Sequence, residues 1–307
     1  MTSQLDVVTG AFSYSGSAIA RDLLQRGHRV RTLTGHPGRA PAGTPIEVRP
    51  LDFTDERGLA ESLAGADTLY NTYWVRFAHG TVTHDVAVAN SRTLFDAAAK
   101  AGVRRIIHVS ITNPSEDSPD PYFRGKAAVE RALATCGVPS YAVARPAILF
   151  GGDGVLLNNI AWLLRRLPVF AIGGRGDYRL RPIHVDDLAA LCVDLGQRTD
   201  TTVVDAVGPE SVTFRQLVET IRAAVRSRTV LVRVPGKLVP VFADILDVML
   251  RDRLLTADEY ASMAAGRADS AGPTTGPTVL TQWIAEHGDR LGRRYASELD
   301  RHFRRPG

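Results

Sequence analysis

The stretch Leu5-Asp6-Val7-Val8-Thr9-Gly10-Ala11-Phe12-Ser13-Tyr14-Ser15-Gly16-Ser17-Ala18-Ile19-Ala20 constrains the fold more than any other part of the chain. An apolar run of strand length stops at a glycine. Small residues then lead into a helical pattern with Ile19, Leu23 and Leu24 on one face. The pattern predicts strand, tight turn, helix. Glycine at position 10 permits a sharp turn and glycine at position 16 a close approach of helix to strand, so the N–H groups of the first helical turn converge on one point. An anion belongs at that point, and in a βαβ unit it is usually the pyrophosphate of a dinucleotide. Gly10, Phe12, Ser13, Tyr14 and Gly16 are therefore expected to line it. Ser13 stands where the spacing G-x-x-G-x-x-G has its middle glycine, and its hydroxyl can donate to a phosphate. The plainer alternative is a tight connection that holds no ligand.

The chain has 307 residues, 44% of them hydrophobic, enough for a large domain and a smaller one. No apolar run approaches the roughly 20 residues of a membrane span. The first residues lead directly into a strand, without a basic segment followed by an apolar one, so neither a membrane span nor a secretory leader is expected, and a cytoplasmic location is. Cys136 and Cys192 fall in helical patterns without metal-ligand spacing and read as reduced core thiols. The net charge is only +4, and basic residues cluster only at Arg293, Arg294, Arg301, Arg304 and Arg305. A solvated terminal helix explains them better than a nucleic-acid surface, because nothing resembles a helix-turn-helix or an aromatic stacking platform.

Strand and helix patterns alternate through the first half. Strands are predicted at Val30–Thr34, Ile46–Val48, Thr68–Tyr70, Arg105–Val109 and Tyr141–Ala144, with a long helix over Val86–Ala101. Such alternation implies a parallel sheet covered on both faces, with ligands at the carboxyl ends of its strands. After the second strand, Thr34-Gly35-His36-Pro37-Gly38-Arg39 offers cations, and no acid occurs between Asp22 and Glu47. A carboxylate there selects NAD through the ribose diol, whereas a cation accommodates the extra phosphate of NADP. Thr34, His36 and Arg39, joined by Arg31, are thus expected to favour NADP(H), although a solvated loop would look the same. After the third strand, Asp52 is expected to accept from the adenine amino group beside Phe53, and Asp55 to cap the next helix. After the fourth, Asn71-Thr72-Tyr73-Trp74-Val75-Arg76-Phe77 is an aromatic loop expected to border the cofactor and, through Tyr73 and Trp74, a substrate pocket.

The fifth strand ends at Ser110-Ile111-Thr112, and a short loop leads to Tyr122-Phe123-Arg124-Gly125-Lys126, where a helix begins. Tyrosine and lysine four apart share one helical face. An ammonium beside a phenol favours the phenolate and draws its pKa from about 10 toward the range useful for proton transfer at neutral pH. With eight tyrosines and three lysines, Y-x-x-x-K should arise by chance only about 0.08 times.

These residues together resemble the short-chain dehydrogenase/reductase superfamily from Leu5 to about Val225. The resemblance rests on Thr9-Gly10 through Gly16, Asp52, Asn90, Ser110, Tyr122 with Lys126, and Arg145-Pro146. It extends to Arg181-Pro182-Ile183-His184-Val185-Asp186-Asp187, a segment similar to one found in members with an extended C-terminal domain. It implies an α/β fold: a Rossmann doubly wound parallel sheet with a small C-terminal α/β substrate cap. It also implies that Tyr122 is the acid/base, that Lys126 binds the nicotinamide ribose and lowers the tyrosine pKa, and that Ser110, or alternatively Thr112, orients substrate. Asn90 becomes a helix-bend or proton-relay residue, and Pro146 borders the cofactor. Pairing of subunits through the helices around Asn90 and Lys126 implies a homodimer. The short Ser110–Tyr122 loop resembles the atypical branch, which includes the NAD(P)-binding accessory subunit of respiratory complex I as well as reductases and redox-sensing regulators. His184 with Asp186-Asp187 resembles a metal cluster less than an acidic pair opening a helix, so no metal is expected.

The expected layout is a cofactor domain over 1–150 with returning segments near 178–207, a cap from 151–177 and 208–290, and a basic helix or tail over 291–307. Within the cap, Val155–Leu167 reads as a helix, Val169–Ile172 and Leu231–Val234 as strands, Thr213 as a helix cap, and Pro235–Leu255 as an apolar helix. Ala268–Pro277 reads as a flexible loop or lid, and Trp283–His302 as a terminal helix. The leading functional expectation is an NADP(H)-preferring oxidoreductase or epimerase acting on a small carbonyl or alcohol. The alternatives are a cofactor-binding scaffold or redox sensor without turnover, and a sugar-nucleotide epimerase with transient oxidation.

Overall fold

A computed structural model describes residues 4–76, 80–239 and 257–297. Phe77, Arg301, Arg304, Arg305 and most of the helix expected over Pro235–Leu255 lie outside the described residues. The chain divides into two units, Met1–Pro146 with Val185–Ala206, and Ala147–His184 with Val207–Gly307.

The first unit is built on β1 (Leu5–Thr9), β2 (Arg29–Thr34), β3 (Glu47–Pro50), β4 (Thr68–Asn71), β5 (Arg105–Val109), β6 (Ser140–Pro146) and β11 (Thr202–Ala206). They form a seven-stranded sheet in the order β11-β6-β5-β4-β1-β2-β3. Every neighbouring pair is parallel. The chain leaves β1 on one side and returns at β4 on the other, so a crevice opens at the carboxyl ends of these two strands.

Burial on both faces explains why the strands read as continuous apolar runs. Val7, Leu33, Leu69, Ile106 and Val143 form one core with Leu59, Leu63, Leu94, Phe95, Val129 and Leu133. Those partners come from α2 (Glu56–Leu63), α3 (His84–Lys100) and α4 (Pro121–Ala134). The alternate residues Val8, Tyr70 and Ile107 are also fully buried, and α1 (Tyr14–Gln25) packs against α6 (Val185–Gly196). Asp186 and Asp187 lie in the first turn of α6, and Asp186 pairs with Arg21.

The turn after β1 shows why glycine is needed twice. Gly10 has φ +65°, and a β-carbon on Gly16 would lie 2.2 Å from the Gly10 carbonyl oxygen. Caps set the helix starts: Asp55 accepts from Gly58 N–H at 2.9 Å, and Asp120 accepts from Tyr122 N–H at 2.9 Å.

In the second unit, β8 (Val169–Gly173) pairs in parallel with β13 (Val230–Val234). Two short pairings join β7 (Leu149–Phe150) to β10 (Ile183–His184) and β9 (Arg179–Leu180) to β12 (Val212–Thr213). Its core joins α5 (Val155–Arg166), α7 (Phe214–Ala224) and the helix Leu280–His287 around Leu157, Ile160, Leu217 and Ile284. Thr213 and Gln216 form a reciprocal capping box at α7.

One expectation for this unit is corrected. The last described helix is Leu280–His287, and residues 288–297 are not helical; residues 298–302 of the expected helix lie outside the described residues. The chain beyond it is bound to α5 instead: Arg165 donates to the Leu291 and Gly288 carbonyls, and Asn159 exchanges two bonds with Ala296. The segment expected to be a flexible loop or lid, Ala268–Pro277, is a loop, and Arg181 ties it by donating to the carbonyls of Ser270 and Gly272 and to Thr274 Oγ1.

Gly16→Ala should lower the urea midpoint by an amount equivalent to about 1–3 kcal/mol, because its methyl group must displace backbone. Gly38→Ala is the control: nothing lies within 4 Å of its β-carbon position, and its midpoint should not move.

Candidate functional site

The carboxyl ends of β1 and β4 are joined by side chains. Thr9 Oγ1 donates to Asn71 Oδ1 at 3.2 Å and accepts from Thr72 N–H at 2.8 Å, while Thr72 Oγ1 donates to the Thr9 carbonyl at 2.7 Å. Asn71 is fully buried. It also accepts from Tyr73 N–H and donates to Nδ1 of His108 at 3.1 Å. Asn71 and Thr72 thus set the shape of the crevice floor. Burial, with Lys126 nearby, holds His108 well below its usual pKa and hence neutral.

The phosphate turn follows the expected shape. The Ser13 side chain makes no cap bond, and the first turn of α1 carries no acid. Ser13 Oγ lies instead against both glycines, 3.2 Å and 3.0 Å from where β-carbons of Gly10 and Gly16 would stand. Phe12 and Tyr14 flank it, partly buried. After β2, Thr34 Oγ1 accepts from His36 N–H at 3.0 Å, and a short turn, Pro37–Arg39, carries Arg39. Arg31 does not join them. Its guanidinium is committed to Glu47 and to the carbonyls of Ser62 and Ala64, so the expectation that it meets a phosphate is corrected. Asp52 is exposed and accepts from both the N–H and the hydroxyl of Thr54, which holds its carboxyl below the usual range. Phe53 packs on Tyr73 with ring centroids 4.8 Å apart. Asn90 Nδ2 donates to the Tyr73 hydroxyl at 2.8 Å, so its amide helps to fix that ring.

Tyr122 and Lys126 stand one turn apart on α4, at the carboxyl end of β5. Lys126 is wholly buried: its Nζ donates to the Val109 carbonyl at 3.0 Å and sits 4.6 Å from the centroid of the Trp74 ring. Burial pushes its pKa down to about 7, with Glu130 opposing the shift. The spacing Y-x-x-x-K suggests a permanent ammonium, but the site holds an amine that titrates near neutrality. The Trp74 ring also meets Tyr122 edge-on at 5.8 Å and stacks on His84 at 5.7 Å, and His84 in turn meets Tyr122 at 5.7 Å. Glycine at 125 makes this seat possible, because a β-carbon there would lie 2.7 Å from Trp74 Cη2.

Ser110 is placed differently from its expected role. Its buried hydroxyl donates to Glu130 Oε1, and Arg145 grips both oxygens of the same carboxylate. The hydroxyl is therefore turned to Glu130. Thr112 is fully buried, and its N–H donates to the carbonyl of Pro146 at the end of β6.

His84 is the residue that sequence reasoning missed. It follows Thr83, the N-cap of α3, and burial lowers its pKa. His184 packs between Phe150 and Trp283 in the second unit. Among the described residues no group of three His, Cys, Asp or Glu side chains is placed to hold a metal ion, no helix is long and apolar enough to cross a membrane, and Cys136 and Cys192 are unpaired thiols.

A Rossmann sheet with a glycine turn at the head of its crevice defines a nucleotide-binding protein, and residues 10–159 match the family model described as NAD(P)H-binding. Residues 10–159 thus carry an NAD(P)H-binding domain. It is 25% identical over 212 residues to the mitochondrial NADH-ubiquinone oxidoreductase 40 kDa subunit of Neurospora crassa, a match covering 68% of this chain and 55% of that protein. It is 28% identical over 211 residues to 3 beta-hydroxysteroid dehydrogenase/Delta 5-->4-isomerase of Mycobacterium tuberculosis, covering 59% of this chain and 57% of that one. The matches thus span little more than half the length of these two relatives. The NADPH-dependent quinone oxidoreductase of Escherichia coli, solved with NADPH, has the same fold: TM-score 0.76 at 20% identity, over 93% of this chain and 99% of that one.

Lys126 yields a pH signature. Folded, it loses its proton near pH 7; unfolded, near 10.5. Between these values the unfolded chain binds more protons, so the buried amine makes stability rise with pH. Relative to Lys126→Met, the native chain should gain stability from pH 7 to pH 10, by at most about 1.4 kcal/mol per unit. Urea unfolding at pH 6, 8 and 10 measures this, and a flat difference would place the amine in water.

Proposed function

We propose that the chain is an NAD(P)H-dependent oxidoreductase acting on a small carbonyl or alcohol, with Tyr122 as the proton-exchanging group. The observation that carries this reading is the pairing of Tyr122 with the buried Lys126 on one face of α4, walled by Trp74 and Phe123. The turn fits the cofactor: Gly10 is in the left-handed region, Gly16 lets α1 approach, and the first turn of α1 carries no acid to repel a phosphate. Gly10, Ser13 and Gly16 would hold the pyrophosphate, His36 and Arg39 the 2′-phosphate that favours NADP(H), and Asp52 and Phe53 the adenine end. When bound, the nicotinamide supplies or accepts a hydride.

The chain's own residues handle the proton. The Tyr122 phenol gives its proton to the substrate oxygen on reduction, or takes it on oxidation. Lys126, buried under Trp74 and held by the Val109 carbonyl, supplies a positive charge that varies around neutral pH. The aromatic wall keeps water from the reacting carbon. A second reading, binding of cofactor without turnover, is favoured by the engagement of Ser110 with Glu130.

Tyr122→Phe separates the two. Turnover of a carbonyl substrate should fall by at least a hundredfold, while the NADPH dissociation constant, followed by tryptophan quenching, changes less than threefold. A chain that binds NADPH and never consumes it with any carbonyl supports the second reading. Arg39→Ala should weaken NADPH about tenfold and leave NADH nearly unchanged. Equal losses for both cofactors would remove Arg39 from the phosphate site.

A further inference from the structure

Beside Tyr122, two buried polar atoms have no hydrogen-bond partner among the described residues: Nε1 of Trp74 and Nδ1 of His84. The two rings stack on one another and both meet Tyr122 edge-on, so the open atoms belong to one cluster. Their roles are opposite. An indole nitrogen only donates. The backbone of Val75 lies where it favours the protonated ring, as a carbonyl facing a ring N–H does. With Nδ1 unpartnered, we assign that N–H to Nε2, and in the neutral ring Nδ1 is then an acceptor. Burial keeps the ring neutral, with Asp120 and Asp85 opposing the shift and Lys126 reinforcing it.

Buried polar groups in native proteins are nearly always satisfied, so a donor and an acceptor left open together call for a partner that the described residues do not supply. We propose that Trp74 and His84 are the substrate-recognition pair of this site and select a carbonyl compound with a hydroxyl on the adjacent carbon. This rests on the functional reading above. The substrate carbonyl oxygen has two lone pairs, one for the Tyr122 hydroxyl and one for Trp74 Nε1–H. Trp74 thereby takes the donor role that Ser110, engaged by Glu130, does not fill. The neighbouring hydroxyl donates to His84 Nδ1. A plain ketone leaves that acceptor unsatisfied.

Calorimetric titration of the NADP⁺-loaded protein with 2-hydroxyacetophenone and with acetophenone tests this without turnover. The hydroxyketone should bind about tenfold more tightly. That advantage should vanish in His84→Phe and survive in His84→Gln, which keeps an acceptor. If His84→Phe does not fold, Trp74→Phe serves: losing the donor should weaken both ketones by a similar factor, and no loss there overturns the proposal. Equal affinities in the native chain, an advantage that persists in His84→Phe, or binding of neither ketone while NADP⁺ binds would each overturn it and leave the oxidoreductase reading standing. Failure of NADP⁺ itself to bind would overturn both.

Discussion

The contact between the Gly10 carbonyl and the backbone of Gly16 is the constraint on which the rest of the structure depends. It lets α1 start almost in contact with the end of β1, and no side chain larger than hydrogen fits at position 16. With α1 seated, β1 and β4 can be laced together by Thr9, Thr72 and Asn71. The aromatic loop that follows β4 therefore starts from a fixed point. Ser13 sits in this arrangement with its hydroxyl close to both glycines.

Two cations are buried around β5, and their surroundings give them different uses. Arg105 is fully buried, and its guanidinium donates to the carbonyls of Leu195 and Asp200 at 2.8 Å and 2.9 Å. Burial lowers its pKa, but arginine starts so high that it stays charged, and it serves as a rivet between the sheet and the end of α6. Lys126 has one carbonyl and one aromatic face, which is too little to hold a full charge, and burial brings it to about 7. Glu130, one turn further along α4, is shared with Arg145 and Ser110, so it only partly offsets the burial.

What was legible in the sequence was what depends on near neighbours in the chain. The turn at Gly10 to Gly16, the β5 span, the caps at Asp55 and Thr213, and the i, i+4 placement of Tyr122 and Lys126 are all local. What was not legible depends on partners the fold brings from afar. Ser110 reads as a substrate-facing hydroxyl until a carboxylate twenty residues later accepts its hydrogen bond. Arg31 reads as a phosphate ligand until Glu47 and two carbonyls around α2 claim it. Asn90 reads as a helix-bend or proton-relay residue, and its tie to Tyr73 depends on where the loop after β4 runs. His84 carried one signal, its place directly after a helix-capping threonine in an aromatic-rich stretch. Its importance comes from the return of that loop beneath it, which no spacing in the sequence announces.

The second unit explains the choice of basic residue. Its strands are short and paired in twos, so many loop carbonyls have no ladder to satisfy them. Arginine meets this need because its planar fork can bond several carbonyls at once. Arg181 binds three carbonyls and one hydroxyl around the loop at Ser270, and Arg165 and Arg166 bind the chain after His287. Much of the arginine in this unit thus lies at the surface and still serves as scaffolding, clamping loop carbonyls. Lysine cannot replace it in that role, and only three lysines occur among the 37 basic residues. One of them stands at position 126, where a single ammonium whose pKa burial can move serves the chemistry better than a fork that stays charged.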